Sequence, residues 1–135
     1  MTAKSVVENW ARYWSTPEAS EQFVSLFTDD CVYEDVAFEH IMNGKSELAH
    51  FYRQGRIAFP DFKLELQSII DADSRIAAQW TMTGTQMGDL PGVPATRRQI
   101  SGRGVSVFEL KGDKITKCQD YYNLAAMLKQ LGEGA

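Results

Sequence analysis

Residues 62–83 read FKLELQSIIDADSRIAAQWTMT, and this stretch decides the fold class. Phe62, Leu64 and Leu66 alternate with charged and amide side chains, which is the two-residue period of a half-buried strand. A turn at 73–74 follows, and the alternation then resumes. One face of this second segment holds Ile76, Ala78, Trp80 and Met82. The stretch therefore predicts an antiparallel β-hairpin with one apolar face.

Two further strands follow a connection that is rich in glycine and proline. Residues 84–104 contain half of the ten glycines and two of the four prolines, which predicts a long bent connection or a hairpin with an extended tip. Residues 100–110 and 115–122 are joined by the tight turn KGDK at 111–114, so they predict a second antiparallel hairpin. Upstream, the residues at 31–36 are rich in Val and Tyr and predict a short strand.

Two helices are predicted before that short strand. Apolar side chains at three- and four-residue steps predict an amphipathic helix over 6–15. Thr16 can cap a second helix and Pro17 suits its first position. The apolar face of this second helix extends to Phe27, and Asp29–Asp30 is expected to break the pattern.

A third helix precedes the long strands and a fourth closes the chain. The third begins at Asn43–Gly44 and stops at Phe59, because the residue before Pro60 disfavours helical geometry. The fourth covers 124–131 and ends at Gly132. Helices followed by long antiparallel strands predict an α+β fold, in which helices cover one face of a curved antiparallel β-sheet and form a cone-shaped cavity.

Composition bounds the class of protein. The chain has 135 residues, of which 44% are hydrophobic and 24% charged, which indicates one globular domain spanning 1–135. A net charge of −4 argues against a nucleic-acid partner. No apolar run is long enough to span a bilayer, so we expect a cytoplasmic protein with no membrane partner. Seven Phe, five Tyr and three Trp exceed what a small core needs and favour a cavity for a small hydrophobic molecule.

Acid–base chemistry by carboxyl groups is the chemistry that the sequence favours. His40 and His50 are the two histidines and show no metal-ligand spacing, and no nucleotide fingerprint occurs, so we expect neither metal nor cofactor. Asp120 shares a strand face with Cys118 and Tyr122, where burial would raise its pKa. Asp35 lies on a matching face of the first strand. The alternatives are an Asp120 that only accepts structural hydrogen bonds and an Asp35 that is solvated.

Several short motifs resemble one known family. Residues 84–132 contain G-x-L-x-G-x-P-x-T, a following S-G, the turn G-x-K-I, and a closing D-Y-Y-N before L-K-Q-L-G. This stretch resembles the C-terminal half of the SnoaL-like polyketide cyclases of the nuclear transport factor 2-like superfamily. The upstream YED strand and the NGKSELAHFYRQG helix are similar to the N-terminal half of that superfamily, so the resemblance covers nearly the whole chain.

The resemblance implies roles for individual residues. Asp120 falls at the acid–base aspartate of the cyclases, and Ser106 replaces their histidine. In comparison with the ketosteroid isomerases, Asp35 falls at the general base and Tyr13 at the oxyanion-binding tyrosine, with Ser106 at the protonated acid. In comparison with the epoxide hydrolases, Asp120 matches one acid, whereas Trp80 and Met82 replace the charged partners. The resemblance also implies a homodimer formed through the outer face of the sheet.

We therefore expect a cofactor-independent enzyme that carries out a polyketide-cyclase-type intramolecular aldol condensation on a polycyclic or ketone-containing molecule. Asp120 is the predicted general acid and base, and Asp35 and Tyr13 are supporting candidates. The alternatives are an isomerase with Asp35 as base and Tyr13 as oxyanion donor, and a non-enzymatic module that binds small hydrophobic ligands. The predicted pocket residues are Tyr33, Phe38, His40, Trp80, Met82, Ser106, Phe108 and Tyr122.

Overall fold

A computed structural model describes residues 2–132 of the chain. Met1 and residues 133–135, the two ends of the predicted 1–135 domain, lie outside the described residues. The helices are α1 (Ala3–Trp14), α2 (Ser20–Val24), α3 (Gly44–Ala58) and α4 (Leu124–Gln130). The strands are β1 (Phe27–Asp35), β2 (His40–Asn43), β3 (Lys63–Ala72), β4 (Arg75–Thr85), β5 (Gln99–Lys111) and β6 (Lys114–Tyr122).

The six strands form one sheet in the order β2-β1-β6-β5-β4-β3. This arrangement confirms the α+β class, and the sheet is curved and unclosed. The two predicted hairpins are present as β3–β4 and β5–β6, and β4 pairs antiparallel with β5. One pairing differs from the prediction, because β1 pairs parallel with β6. Alternation within a strand indicates neither its partner nor its direction, so a pairing between distant strands leaves no local signal.

The beginning of β1 corrects the predicted second helix. Helix α2 is only five residues long, and Phe27 already belongs to β1 and pairs with Ile115 of β6. The register shifts between Phe27 and Val32, and this irregularity leaves Asp29 and Asp30 exposed within the strand. The two acids therefore do not end an element. Burial of Phe27 in the core outweighs the helical pattern that precedes it.

Strand β2 was not predicted. It has four residues, of which only Met42 is buried, so it shows no apolar alternation. It pairs antiparallel with β1 at the edge of the sheet, and His40 lies opposite Asp35. The turn between the two strands contains Glu39, whose φ of 54° lies in the left-handed region.

Helices α1 and α3 cover the concave face because each presents an apolar stripe. In α1, Thr2 caps the first turn and the buried side chains recur at helical spacing: Val6, Val7, Trp10, Ala11 and Trp14. In α3, Tyr52 is buried and its hydroxyl lies within hydrogen-bond distance of the backbone oxygens of Tyr13 and Thr16, to which its one hydrogen can donate. This contact ties α3 to the end of α1. Within residues 2–132, no helix is long and apolar enough to cross a membrane.

The connection between β4 and β5 is held by one buried amide. The Gln86 side chain is 0% exposed; its Nε2 donates to the Val93 oxygen, and its Oε1 accepts from the backbone N–H and hydroxyl of Thr96. A bridge between Leu90 and Val93 narrows the tip. The connection is therefore the hairpin with an extended tip that was one of the two predicted forms.

Candidate active site

The concave face of the sheet, α1, α3 and the β4–β5 connection enclose a cavity of about 710 Å³. This volume falls within the range of sites for drug-sized molecules. Trp80 and Met82 of β4 line its sheet side, and Phe51 of α3 lines its helical side. Leu90 and Pro91 reach it from the β4–β5 connection. Seven residues predicted for the site line this cavity: Asp35, Phe38, His40, Trp80, Met82, Asp120 and Tyr122.

Three of the predicted pocket residues lie behind the cavity wall. Tyr33, Ser106 and Phe108 are each 0% exposed and are not among the residues that line the cavity. Phe108 packs edge-on against Trp10, with the ring centroids 4.9 Å apart. Tyr33 and Ser106 instead make hydrogen bonds to Asp120. The side-chain alternation of the strands placed all three on the correct face, but larger side chains cover them.

Tyr13 is not among the residues that line the cavity. Trp10 and Trp14, four residues apart on α1, line the cavity, whereas Tyr13 is rotated by about 100° from Trp14 around the helix axis. The backbone oxygen of Tyr13 accepts a hydrogen bond from Tyr52. An oxyanion-binding role for the Tyr13 hydroxyl therefore has no support from this geometry.

Asp120 is a buried carboxyl with a hydrogen-bond donor on each oxygen. Its Oδ1 accepts from the Ser106 hydroxyl at 2.6 Å and from the Cys118 thiol at 3.6 Å. Its Oδ2 accepts from the Tyr33 hydroxyl at 2.7 Å. Burial raises the pKa of Asp120 to about 7, although the Ser106 and Tyr33 hydrogen bonds act in the opposite direction. A carboxyl of this kind can both take and return a proton near neutral pH.

Each hydroxyl that donates to Asp120 itself accepts a hydrogen bond from an indole N–H. The Trp80 Nε1–H donates to Ser106 Oγ at 2.9 Å. The Nε1–H groups of Trp10 and Trp14 both donate to the Tyr33 hydroxyl oxygen, at 3.2 and 3.3 Å. All three tryptophans of the chain are therefore linked to Asp120 through one hydroxyl each.

Asp35 is the second buried carboxyl at the cavity. Its Oδ2 accepts from the Tyr122 hydroxyl at 2.8 Å, and its Oδ1 accepts from the backbone N–H of Phe38 at 3.1 Å. Burial raises the pKa of Asp35 above its ordinary value, and the two hydrogen bonds and the nearby His40 partly oppose this effect. The two acids are direct partners in the parallel pairing of β1 and β6.

The cavity lining contains more acidic than basic side chains. Among the lining residues that the structure describes, the ionisable side chains are four carboxyls, two imidazoles and one phenol: Asp35, Glu39, Asp89, Asp120, His40, His50 and Tyr122. No lysine or arginine belongs to this set, so no fixed cation offsets the carboxyls. The described range 2–132 also holds no group of three or more His, Cys, Asp or Glu side chains arranged to bind a metal ion.

Sequence reasoning missed much of the helical and loop side of the cavity. Trp10, Trp14, Phe51 and Gln54 line it from two helices, and residues 89–91 line it from the β4–β5 connection. The helical spacing of Trp10 and Trp14 carried a signal for the first pair. The loop residues carried none, because their position depends on the buried Gln86 rather than on any periodicity.

Comparison with known proteins agrees with this geometry. The family model of the SnoaL-like polyketide cyclases matches residues 4–131. The chain belongs to the SnoaL-like polyketide cyclase family. No curated protein sequence matches the chain.

Solved structures of other family members and of related folds superpose on nearly the whole chain. A protein from Jannaschia sp. named as a candidate SnoaL-like polyketide cyclase is 14% identical, with a TM-score of 0.89 over 98% of this chain and 93% of that one. A candidate polyketide cyclase from Pseudomonas putida is 25% identical, with a TM-score of 0.82 over 96% and 98%. A Catenulispora acidiphila protein with a ketosteroid isomerase-like fold, solved with trimethylamine, is 21% identical, with a TM-score of 0.85 over 97% and 95%.

Proposed function

We propose that this SnoaL-like protein is a cofactor-independent acid–base enzyme that catalyses an intramolecular aldol condensation of a polycyclic or ketone-containing small molecule. The observation that carries the proposal is Asp120, a buried carboxyl at an aromatic cavity with a pKa of about 7. Family membership supports the same type of reaction.

In this reaction the ionised Asp120 removes a proton from the carbon next to a substrate carbonyl. The enolate carbon then forms a bond to a second carbonyl carbon of the same molecule, and the alkoxide that results takes the proton back from Asp120. This ring-closing addition balances without a cofactor, because its β-hydroxy carbonyl product is an isomer of the substrate and no water is lost. Bound between Trp80 and the helical wall, the two reacting carbons would be held close together.

Asp35 is the proposed partner of Asp120. It lies on the neighbouring strand at the same cavity, and burial raises its pKa. In its protonated form it would donate a hydrogen bond to the enolate oxygen. The Tyr122 hydroxyl holds one of its oxygens in place. This assignment gives the second acid a function that does not need Tyr13.

Two alternative functions remain proposals. A ketosteroid-isomerase-like reaction would use Asp35 as the base, and the cavity position of Asp35 favours it. A non-enzymatic module that binds small hydrophobic ligands would use the same aromatic lining without the acids.

One experiment separates these three functions. We would measure deuterium exchange from solvent into 2-tetralone, a bicyclic enolisable ketone, by NMR. Asp120→Asn should slow exchange at least ~100-fold while 2-tetralone still binds, because the base is lost and the cavity is kept. Asp113→Asn, which changes an exposed carboxyl in the β5–β6 turn, is the matched control.

The outcomes are distinct. Full exchange in Asp120→Asn contradicts the cyclase-type assignment. Loss of exchange in Asp35→Asn with a normal Asp120→Asn favours the isomerase. Binding of 2-tetralone without effect of either substitution favours the binding module.

We also propose that the single domain of 1–135 acts as a cytoplasmic homodimer. Val105, Val107 and Tyr121 are neighbours on the outer face of β5 and β6, and Tyr121 is 43% exposed. Burying this face in a second copy would remove apolar surface from water. Cys31 and Cys118 are buried free thiols, as is usual in a reducing compartment. Sedimentation velocity of the wild type and of Tyr121→Glu tests the dimer.

A further inference from the structure

The hydrogen atoms of the two hydroxyl groups that contact Asp120 have a direction that the structure determines. An indole N–H can donate a hydrogen bond but cannot accept one. Trp80 donates to Ser106 Oγ, so that oxygen is the acceptor in this contact and its own hydrogen is free to point at Asp120 Oδ1, 2.6 Å away. The chain Trp80–Ser106–Asp120 therefore has a single polarity.

The hydrogen of the Tyr33 hydroxyl has fewer possible orientations than that of Ser106. Its oxygen accepts from two indoles, Trp10 and Trp14, which leaves it no acceptor capacity for a third donor. Its hydrogen has one short partner, Asp120 Oδ2 at 2.7 Å. Because Tyr33 is fully buried, no solvent molecule can supply an alternative partner without disrupting the core.

From these contacts we propose that Trp10, Trp14 and Trp80 are positioning residues, which orient the Tyr33 and Ser106 hydroxyls as donors so that Asp120 gains and loses its proton only on the side that faces the cavity. A protonated Asp120 cannot pass its proton to Tyr33, whose oxygen already accepts from two indoles. Trp80 occupies one of the two Ser106 lone pairs, while the Ser106 hydrogen is directed at Asp120 Oδ1. The lone pair without a protein donor is the one that remains for the proton. Asp120 lines the cavity, so that lone pair is directed toward a bound molecule.

The surrounding titratable groups do not offer another route for the proton. Those facing Asp120 are Tyr33 and Asp35 of β1 and Cys118 and Tyr122 of β6. Cys118 donates its weak S–H to Asp120 Oδ1, and Tyr122 donates to Asp35 rather than to Asp120. Burial raises the pKa of both Tyr33 and Cys118 well above their ordinary values, so both stay protonated and act as donors.

The catalytic meaning of this arrangement rests on the proposed function, but its electrostatic effect does not. The Ser106 and Tyr33 hydroxyls donate to Asp120 and so stabilise its ionised form. They hold the pKa of Asp120 below the value that burial alone would give. If the Trp80 N–H is removed, the Ser106 hydroxyl is a weaker donor to the ionised Asp120, and both Ser106 lone pairs become available to the protonated carboxyl. The protonated form then gains a partner, and the pKa of Asp120 rises.

The test is a ¹³C NMR titration of the Asp120 carboxyl in the full chain. Ser106→Ala should raise the pKa of Asp120 by about one pH unit, because a hydrogen bond to the charged form is lost. Trp80→Phe should raise it by a smaller amount with Ser106 unchanged. Thr83→Ser is the matched control, because Thr83 lies on the same strand as Trp80 but is exposed and does not line the cavity. It should leave the Asp120 pKa unaltered.

A second replacement separates the N–H from the size of the ring. Trp80 replaced by 3-benzothienylalanine keeps the bicyclic shape and loses only the donor, so the protein should fold and the pKa of Asp120 should still rise. An unchanged pKa in this protein overturns the proposal. Exchange into 2-tetralone reports separately on the proposed function: a raised pKa without any wild-type exchange would leave the donor order intact and contradict only the enzyme assignment.

Discussion

Asp35 and Asp120 are paired residues on the adjacent parallel strands β1 and β6, and both carboxyls line the same cavity. Burial has the largest effect on the pKa of Asp120 and raises it, and the Asp35 carboxylate acts in the same direction. Their partners differ, since a tyrosine and a serine hydroxyl donate to Asp120 whereas a tyrosine hydroxyl and a backbone N–H donate to Asp35. Different environments for two neighbouring carboxyls are typical of an acid–base pair.

The raised pKa of Asp120 makes the stability of the protein depend on pH. A carboxyl with a native pKa of about 7 and an unfolded pKa near 3.8 binds more protons in the native state between these values, so the free energy of unfolding falls as pH rises from 4 to 7. Asp120→Asn removes this dependence. We expect the variant to gain up to roughly 4 kcal/mol relative to the wild type across that range.

Urea unfolding of both proteins at several pH values measures this difference. Asp35→Asn should change the pH dependence with the same sign, because the pKa of Asp35 is also raised. A wild-type minus Asp120→Asn difference that stays constant from pH 4 to pH 8 would show that Asp120 has an ordinary pKa.

The cavity should discriminate between ligands by charge. Its described lining has four carboxyls and neither lysine nor arginine, so an anionic ligand has to be desolvated without a fixed cationic partner. We expect 4-phenylbutylamine and 4-phenylbutanol to bind at least ~10-fold more tightly than 4-phenylbutyrate at pH 8, where both buried acids are more fully ionised.

Isothermal titration calorimetry with the three probes tests this preference, since their apolar parts are matched. Asp35→Asn should reduce the difference in affinity between 4-phenylbutylamine and 4-phenylbutyrate, because it removes one of the two buried carboxyl groups. Carboxylate binding as tight as amine binding would mean that a cationic group outside the lining compensates for the acids.

Gly104 is required by the position of Trp80. A Cβ atom at Gly104 would overlap the six-membered ring of Trp80, which lies directly across the β4–β5 pairing. Gly104→Ala should therefore displace the indole, break its hydrogen bond to Ser106 and cost about 1–3 kcal/mol of stability. Gly102→Ala is the matched control, because its Cβ would meet only the Met82 side chain, with the flexible Cε end nearest at 3.2 Å.

Thermal unfolding and the near-ultraviolet circular dichroism of the aromatic side chains, Trp80 among them, measure both variants. The signal should change in Gly104→Ala and stay close to wild type in Gly102→Ala. Equal stabilities of the two variants would contradict the close packing of Trp80 on Gly104.

The sequence predicted the features of the site that local patterns determine, and it did not predict those that depend on contacts between distant residues. Alternation placed Asp120, Trp80 and Met82 on the concave face, and the motif at 120–123 pointed to the same acid. The hydroxyls of Tyr33 and Ser106 were assigned to the pocket wall, although they lie one layer deeper and contact Asp120. The two-residue period of a strand predicts the face on which a side chain lies. How deeply that side chain is buried depends on the size of its neighbours.

Pairing between distant elements explains the remaining differences. The parallel contact of β1 with β6 joins residues 85 positions apart, and no local pattern encodes it. The choice of Tyr13 rather than Trp10 and Trp14 followed the resemblance to the isomerases. The helical period would have favoured the two tryptophans, because they belong to the buried stripe of α1.

Gln86 should control access to the cavity through the β4–β5 connection. It is buried, and its amide makes three hydrogen bonds within 93–96, while Leu90 and Pro91 close one side of the cavity. Gln86→Ala leaves these backbone and hydroxyl groups without partners, so we expect a loss of about 1–3 kcal/mol and faster opening of residues 87–97. Hydrogen–deuterium exchange by mass spectrometry should show the increase in that segment. Gln79→Ala, at an exposed position of β4, the strand that precedes Gln86, should not. An unchanged exchange rate at 87–97 in Gln86→Ala would show that contacts other than this amide hold the connection.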